Sequence, residues 1–326
     1  MRIARSTART WLLFAAKLAV FGLVLWFIRD TLLKALTQIG HERWRLSPWW
    51  LLWAGVLYAI AMLPSSWFWF RTLRALGQEV RLGEAMRALC IGQLGKYVPG
   101  KAMVVILRTA MVRSHRVHAG VAAASVFFET LTTMAVGAFL AAGILAWRLS
   151  HGSLRLDDRI HPQTLLWGTL GMMGVAGLPT LPPIFRRLAT LAGVTRSDPA
   201  TAEKLRGLGL GTLALGWVAA AAAWALLASS LWATFRAVGV QQPNLLAGFS
   251  DYVAAVALAT VAGFLAMLPA GLGVRDAILV ALLVTLLAAE EGHALVIAGT
   301  LRMVWLAAEL AVAGILYIGL RPAQSR

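Results

Sequence analysis

Two proline and glycine interruptions inside long apolar stretches limit the folds open to this chain. The first is YVPGK at residues 97–101, and the second is LPAGLGVRD at residues 268–276. Proline removes a backbone donor and breaks a helix, and an unpaired amide or carbonyl in lipid costs several kcal/mol. A broken backbone at membrane depth is therefore tolerated only inside protein or beside water. Both interruptions predict a buried polar site.

The composition is that of an integral membrane protein. Hydrophobic residues make up 60% of the 326 residues and charged residues only 13%, which excludes an ordinary soluble enzyme. The single cysteine, Cys90, rules out an internal disulfide and a cysteine-based metal site. The sequence contains no nucleotide-binding, nucleophile or zinc motif, so we expect no cofactor, no metal ion and no catalytic residue.

Apolar stretches of about 17 to 25 residues are long enough to cross a bilayer as helices. The sequence contains six of them. They are Trp11–Ile28, Pro48–Phe70, Ala119–Trp147, Thr164–Pro182, Thr212–Phe235 and Ala294–Leu320. Two further apolar regions, 83–112 and 251–289, contain the interruptions and predict re-entrant helical hairpins. The expected fold is therefore an all-α membrane protein with six full transmembrane helices and two re-entrant hairpins, although two full spans remain an alternative for the second hairpin.

The basic residues predict the orientation of the chain. The net charge is +16, and most Lys and Arg residues lie at the two termini and in segments 71–116 and 184–211. Cytoplasmic loops of membrane proteins are enriched in Lys and Arg, so both termini and both basic segments are predicted to be cytoplasmic. Because topology accounts for the excess charge, nucleic acid is not an expected partner.

The order of the predicted elements repeats along the chain. Each half contains a broken hairpin followed by a spanning helix that bears one carboxylate, Glu129 or Glu309. The second half starts from the opposite side of the membrane. The single transmembrane domain, 1–326, is therefore predicted to consist of two inverted halves, 1–150 and 160–326. Accidental pseudo-symmetry is the alternative explanation.

Ionisable side chains inside apolar spans are candidate functional residues, because a charge at the centre of a membrane helix costs roughly 2.5 to 3.5 kcal/mol. Lys and Arg suit a phosphate group. The candidate cations for binding a lipid headgroup are Lys96, Lys101, Arg108, Arg275 and Arg302. The candidate charge-balancing or proton-linked carboxylates are Glu129, Asp276 and Glu309. The candidate break residues are Pro99, Gly100, Pro269, Gly271 and Gly273.

A second interpretation of the glutamates is purely structural. Glu129 and Glu309 would then pair with arginines on neighbouring helices, at Arg108, Arg275 or Arg302, and would only lock the helices together. The sequence leaves both interpretations open.

Two segments and the helix between them carry a resemblance to a known family. GQLGKYVPGKAMVVILR, residues 92–108, precedes the helix with Ser125 and Glu129, and LPAGLGVRDAIL follows at residues 268–279. Together they resemble the flippase-like transmembrane family named after lysylphosphatidylglycerol synthase, over about residues 10 to 320. The resemblance implies a multi-pass protein of the bacterial inner (cytoplasmic) membrane or of an archaeal membrane. In two-domain members, the membrane region is credited with moving an aminoacylated phospholipid between leaflets, while a soluble domain transfers the amino acid from aminoacyl-tRNA.

The chain departs from that family in two respects. It ends at Arg326, six residues after the last predicted span, so we expect the soluble synthase domain to be absent and lysylphosphatidylglycerol synthesis not to occur. Where the family commonly has glutamate after GLGVR, this chain has Asp276, which keeps the charge but shortens its reach.

The leading hypothesis is a lipid translocase that is not an enzyme. It would move an anionic or aminoacylated phospholipid, or a polyprenyl-phosphate-linked lipid, through a central polar cavity between the hairpins. We expect the two breaks to meet near the membrane midplane and to line this one cavity together with Glu129 and Glu309. Without an ATP-binding motif, transport would be passive or driven by an ion or potential gradient. One alternative is a non-catalytic accessory subunit that presents lipid to an enzyme of envelope-lipid or glycan synthesis, and another is a membrane-embedded transferase. Association with a second copy of the chain, or with such an enzyme, also stays open.

Overall fold

A computed structural model describes residues 46–98, 102–113, 117–152, 162–191, 199–240, 244–266, 269–271 and 273–319. Within these ranges 88% of the residues are helical and none forms a strand. The α-helices there are α1 (Pro48–Ala75), α2 (Leu82–Gly92), α3 (Ala102–Val112), α4 (Ala119–Ser150), α5 (Pro162–Gly177), α6 (Pro182–Leu191), α7 (Pro199–Lys204), α8 (Leu210–Val238), α9 (Phe249–Leu265), α10 (Val274–Leu287) and α11 (Glu291–Gly319). The predicted all-helical class is therefore confirmed for the described part of the chain.

Four of these helices are long and apolar enough to cross a membrane. They are α1, α4, α8 and α11, with 28, 32, 29 and 29 residues. At 1.5 Å per residue each exceeds the roughly 30 Å of a bilayer's hydrocarbon core. They coincide with four of the predicted spans. The predicted span Trp11–Ile28 lies outside the described residues.

The predicted span Thr164–Pro182 forms a shorter helix than expected. Helix α5 ends at Gly177 after 16 residues, and a 3₁₀ turn, Leu178–Thr180, follows. Pro179 lies in that turn and lacks the N–H that a continuing α-helix would need. The structure therefore contains a shorter apolar helix at this position.

The two interrupted regions fold back on themselves. In the first, α2 and α3 pack together and are joined through a 3₁₀ turn, Gln93–Tyr97, which we call the first turn. In the second, α9 and α10 pack together around a 3₁₀ turn at Pro269–Gly271, the second turn. Helices α2 and α3 have 11 residues each, about 17 Å, which is shorter than the hydrocarbon core. Helices α9 and α10 have 17 and 14 residues.

Each hairpin closes on a glycine. A Cβ added at Gly95 would lie 2.7 Å from the backbone nitrogen of Val104, and one added at Gly263 would lie 2.7 Å from the Cβ of Arg275. Real Cβ atoms are not found this close to other heavy atoms. We call α3 and α10, the second helices of the two hairpins, the return helices. The backbone that precedes each return helix can approach it this closely only because these residues have no side chain.

Contacts between helices define two ends of the bundle. At one end, the Ser47 amide donates to the Ala237 carbonyl at 2.9 Å, and Arg148 forms an ion pair with Asp251. At the other end, the Arg87 guanidinium donates to the Leu316 carbonyl at 3.3 Å. The buried aromatic side chains of Trp69, Trp224 and Tyr252 fill the main core between α1, α8 and α9. Both hairpins pack against this core.

The order of elements is the same in the two described halves. A long helix, a hairpin with a turn and a second long helix appear as α1 to α4 and again as α8 to α11. The longest interface of the bundle runs between α1 and α8, which occupy the same place in each half. The inverted symmetry of these halves about the membrane plane stays a prediction.

Candidate functional site

The first and second turns touch each other. Tyr97 of the first turn packs with Ala270 of the second turn and with Leu306 of α11. The sequence predicts that the breaks approach one another, and the described parts of both breaks do so. Pro99, Gly100 and Lys101 of the first break lie outside the described residues.

The second turn has backbone conformations that suit glycine. Gly271 and Gly273 have φ angles of +67° and +77°, and Ala270 has a φ of +48°. A residue with a Cβ in this left-handed region costs roughly 1–2 kcal/mol. Pro269 opens the turn and Gly273 is the N-cap of α10. This geometry places Arg275 and Asp276 in the first turn of α10, next to Gly263 of α9.

Glu309 lies at the centre of the site and is fully buried. Its Oε1 accepts hydrogen bonds from the Lys96 ammonium and from the Tyr58 hydroxyl, so one carboxylate joins α11 to the first turn and to α1. The Lys96 ammonium also lies 5.2 Å from the centroid of the Tyr97 ring. Glu309 Oε2 is buried without a hydrogen-bond partner.

Asp276 forms the second ion pair of the site. It accepts a hydrogen bond from the guanidinium of Arg302, which is only 3% exposed, and Arg275 approaches the same carboxylate at 3.4 Å. Arg302 belongs to α11, so this pair fastens the return helix of the second hairpin to the helix that carries Glu309.

An aromatic pair connects these two ion pairs, since Tyr58 bonds Glu309 and Trp305 contacts Arg275. The Arg275 guanidinium lies 5.4 Å from the centroid of the Trp305 ring, and Trp305 stacks on Tyr58 with centroids 4.8 Å apart. The Trp305 indole donates to the Ser230 hydroxyl at 3.0 Å, which in turn donates to the Ala54 carbonyl at 2.8 Å. Trp305 is therefore held in place by α8 and α1.

A small cavity opens beside Arg275 and Trp305. Thr260 is the hydroxyl-bearing side chain of its wall, and the other lining residues are apolar: Val256, Ala259, Leu279 and Leu301. We call Lys96, Arg275, Asp276, Arg302 and Glu309, together with Tyr58 and Trp305, the central cluster.

Arg108 and Glu129 form a separate buried pair. The Arg108 guanidinium donates to Glu129 at 2.7 Å and to the Gln93 side-chain oxygen at 3.0 Å. It lies 5.5 Å from the centroid of the Trp69 ring, whose indole donates to Ser125 at 2.9 Å. This pair joins the return helix of the first hairpin to α4.

The two glutamates therefore occupy different groups. The sequence predicted one shared cavity lined by Glu129 and Glu309, whereas in the structure Glu129 bonds to Arg108 and Glu309 bonds to Lys96. The groups are joined by the first turn, since Gln93 contacts Arg108 and Lys96 contacts Glu309. The structural interpretation of Glu129, a pair with Arg108, describes the observed geometry.

Sequence reasoning missed Tyr58 and Trp305. Trp305 lies three residues after Arg302 and four before Glu309, so helical spacing places all three on one face. Tyr58 lies ten residues into α1, where a buried hydroxyl needs a partner. Both signals were present in the sequence, but aromatic side chains in apolar spans also serve as ordinary packing residues.

The arrangement has the chemistry of an anion site. Three cations and two carboxylates meet in the central cluster, which leaves one positive charge within apolar surroundings. The described residues contain no group of three or more His, Cys, Asp or Glu side chains placed to hold a metal ion.

One comparison with known proteins gives a match. A family model described as the lysylphosphatidylglycerol synthase TM region matches residues 14–311. No curated protein matches the chain. The matched range contains both breaks, the central cluster and the Arg108–Glu129 pair.

Proposed function

Because this chain belongs to the lysylphosphatidylglycerol synthase transmembrane-region family, we propose that it is a lipid translocase. Its substrate is an anionic or aminoacylated phospholipid, or a polyprenyl-phosphate-linked lipid. The headgroup passes through the polar centre of the protein while the hydrocarbon chains stay in the bilayer. The proposal includes no covalent step, no metal ion and no cofactor.

The observation that carries this proposal is the contact between two interrupted helices at a cluster of buried charges. Charged side chains at membrane depth are costly and mark substrate or ion pathways. Half-helices that end near the middle of a bundle are the usual way in which transporters build a substrate site. Lys96, Arg275 and Arg302 supply cations for a phosphate group, and Arg108 lies on the return helix of the first hairpin. Lys101, which lies outside the described residues, stays a candidate from the sequence.

The ion pairs suggest how binding is coupled to movement. Lys96 joins the first turn to α11, and Arg302 joins α11 to the second hairpin. A headgroup phosphate competes with Glu309 for Lys96 and with Asp276 for Arg302. Because each pair fastens a hairpin to α11, its exchange for a phosphate contact loosens that hairpin. A proton on either carboxylate has the same effect, which is how an ion gradient would drive transport.

The proposed setting is the inner membrane of a bacterium, with both termini in the cytoplasm. In this arrangement six helices cross the bilayer and the two hairpins re-enter from opposite faces. The 11-residue helices of the first hairpin support this topology because they are too short to span. The basic segment 71–116 supports the assignment of that hairpin to the cytoplasmic side.

Reconstitution tests the proposal directly. Purified protein in liposomes that contain headgroup-labelled phosphatidylglycerol should expose inner-leaflet label to an impermeant quencher faster than empty liposomes. Arg275→Ala and Glu309→Gln should slow exposure about tenfold or more, equal to at least 1.4 kcal/mol of lost stabilisation. The matched control is Arg187→Ala on the exposed face of α6, which should retain the wild-type rate.

Three outcomes overturn the translocase assignment. Rates equal to wild type in folded Arg275→Ala and Glu309→Gln would remove the charged residues from the mechanism. An inactive wild type that co-purifies with an envelope enzyme would support the accessory role instead. A lipid product of changed mass would indicate a transferase.

A further inference from the structure

The cations of the site outnumber its carboxylates by one. Among the described residues, Lys96 pairs with Glu309, Arg302 with Asp276, and Arg108 with Glu129. Arg275 is the fourth cation. Its guanidinium donates to Oδ1 of Asp276 at 3.4 Å while Arg302 donates to Oδ2, so two guanidinium groups share one carboxylate.

The other neighbours of Arg275 do not replace a counter-charge. Its side chain is 12% exposed, and its Nε atom is buried without a hydrogen-bond partner. A cation over an aromatic ring gains about 0.5 to 2 kcal/mol, whereas the transfer of an ion out of water costs several kcal/mol. The contact with Trp305 therefore offsets only part of the cost, and the site lacks one negative charge.

The surroundings of Arg275 suit a phosphate group. Arg275 is in the first turn of α10, where the helix dipole adds a partial positive charge. The planar guanidinium fork matches two oxygens of one phosphate. The helix dipole and the guanidinium fork therefore both favour an anion at Arg275.

We propose that the ligand headgroup carries one net negative charge and is a lipid phosphodiester, held at Arg275. A phosphomonoester would bring a second negative charge, and a zwitterionic headgroup would bring its own cation. Asp276 and Glu309 set this preference because they neutralise two of the three cations in the central cluster. The inference rests on the lipid binding in the proposed function, not on transport.

Native mass spectrometry of the full chain in detergent measures the preference. The probes are phosphatidylglycerol, phosphatidylcholine and phosphatidic acid with identical acyl chains, at pH 8, where a phosphomonoester is close to doubly charged because its second pKa is about 6. We expect phosphatidylglycerol to bind about tenfold more tightly than either other lipid. Equal affinities for the three lipids overturn the inference.

Variants that change the charge of the cluster should change the preference in opposite directions. Arg275→Gln should make phosphatidylglycerol and phosphatidylcholine equivalent, while Arg275→Lys should keep the wild-type order. Asp276→Asn adds one net positive charge and should shift the preference to phosphatidic acid. Glu309→Gln makes the same charge change at the other carboxylate, in case Asp276→Asn does not fold. Wild-type ratios in Arg275→Gln, or no shift in either carboxylate variant, contradict the inference.

A steric variant tests the position of Arg275 without a change of charge. An added Cβ at Gly263 must displace the Cβ of Arg275, so Gly263→Ala should lower the preference for phosphatidylglycerol severalfold. Gly143→Ala is the matched control, because its added Cβ meets no atom within 4 Å. An unaltered preference in folded Gly263→Ala argues against binding at Arg275.

Competition separates a lipid headgroup from a free phosphate. Inorganic phosphate and glycerol phosphate at millimolar concentration should leave bound phosphatidylglycerol in place, because the acyl chains contribute to binding. Displacement by either soluble anion overturns the lipid assignment. If the protein binds phosphatidylglycerol selectively but does not exchange labelled lipid between leaflets, the translocase assignment alone is refuted. If it exchanges lipid but binds the three lipids equally, only the preference for a single negative charge is refuted.

Discussion

At the scale of single residues, the protein keeps charges in an apolar interior by giving each a partner. Arg108 and Glu129 are 3% and 4% exposed, and Glu309 is fully buried. A buried ion pair adds little stability over a well-packed apolar pair, but removal of one partner leaves a charge without compensation. Single and double substitutions at these pairs should therefore differ in their effect on the free energy of unfolding.

Arg108→Met should destabilise the protein by about 3–5 kcal/mol, because it leaves Glu129 as an unpaired buried charge. The double variant Arg108→Met with Glu129→Gln should recover at least half of that loss. Thermal or chemical unfolding in detergent measures both. Arg187→Met, at an exposed position, is the control and should stay within about 0.5 kcal/mol of wild type. A double variant as unstable as the single one would contradict this account.

The candidate charges could be predicted from the sequence, but their partners could not. A charge in an apolar span is recognisable because lipid penalises it wherever it points. The partner of Glu309 depends on which neighbouring element faces α11 at that height. Lys96 meets it, and the sequence offered Arg108, Arg275 and Arg302 as equally reasonable partners.

At the scale of elements, the hairpins show how local chemistry sets helix ends. Proline and glycine interrupt both apolar regions, so the position of each break could be predicted from the sequence. The length of α2 does not follow from the break, because α2 ends at Gly92 and the 3₁₀ turn Gln93–Tyr97 precedes the proline. The closeness of packing within the hairpins does not follow from the breaks either, because it depends on Gly95 and Gly263 meeting the backbone or Cβ of a return helix.

The C-terminal end of α10 offers a test of how a glycine relieves backbone strain, at a position outside the central cluster. Ala288 caps this helix in the left-handed region, with φ +49°, and is exposed. Ala288→Gly should raise the free energy of unfolding by about 0.5 to 1 kcal/mol, because glycine avoids the 1–2 kcal/mol strain of a Cβ but loses more chain entropy.

The matched control is Ala307→Gly at an exposed position inside α11, which should cost about 1 kcal/mol. Unfolding in detergent gives both values. Changes of the same sign at the two positions would contradict the proposed strain at Ala288.

At the scale of the whole molecule, the contacts between helix ends define two faces that a membrane would separate. Arg148 and Asp251 meet at one end, and Arg87 and Leu316 meet at the other. The proposed topology places the first end outside the cytoplasm and the second end inside it. The central cluster lies along the bundle between these ends.

Cysteine labelling of intact spheroplasts checks this topology. Cys90 is buried and should react little, and Cys90→Ser provides a clean background. An impermeant maleimide should label Ser150→Cys and Glu290→Cys, which are exposed near the first end, from outside. Arg113→Cys and Leu191→Cys should be labelled only after lysis. Equal labelling of Arg113→Cys and Glu290→Cys from outside would refute the orientation.

The sequence alone determined that the chain is helical, belongs in a membrane and is broken at two sites with charged flanks. These properties are local, because apolar length, proline and glycine act within one or two turns of a helix. Only the tertiary structure decided that Lys96 meets Glu309, that Arg302 meets Asp276, and that Tyr58 and Trp305 connect the two pairs. Such pairings depend on the rotation and height of neighbouring helices, which packing across the whole bundle sets and no single segment encodes.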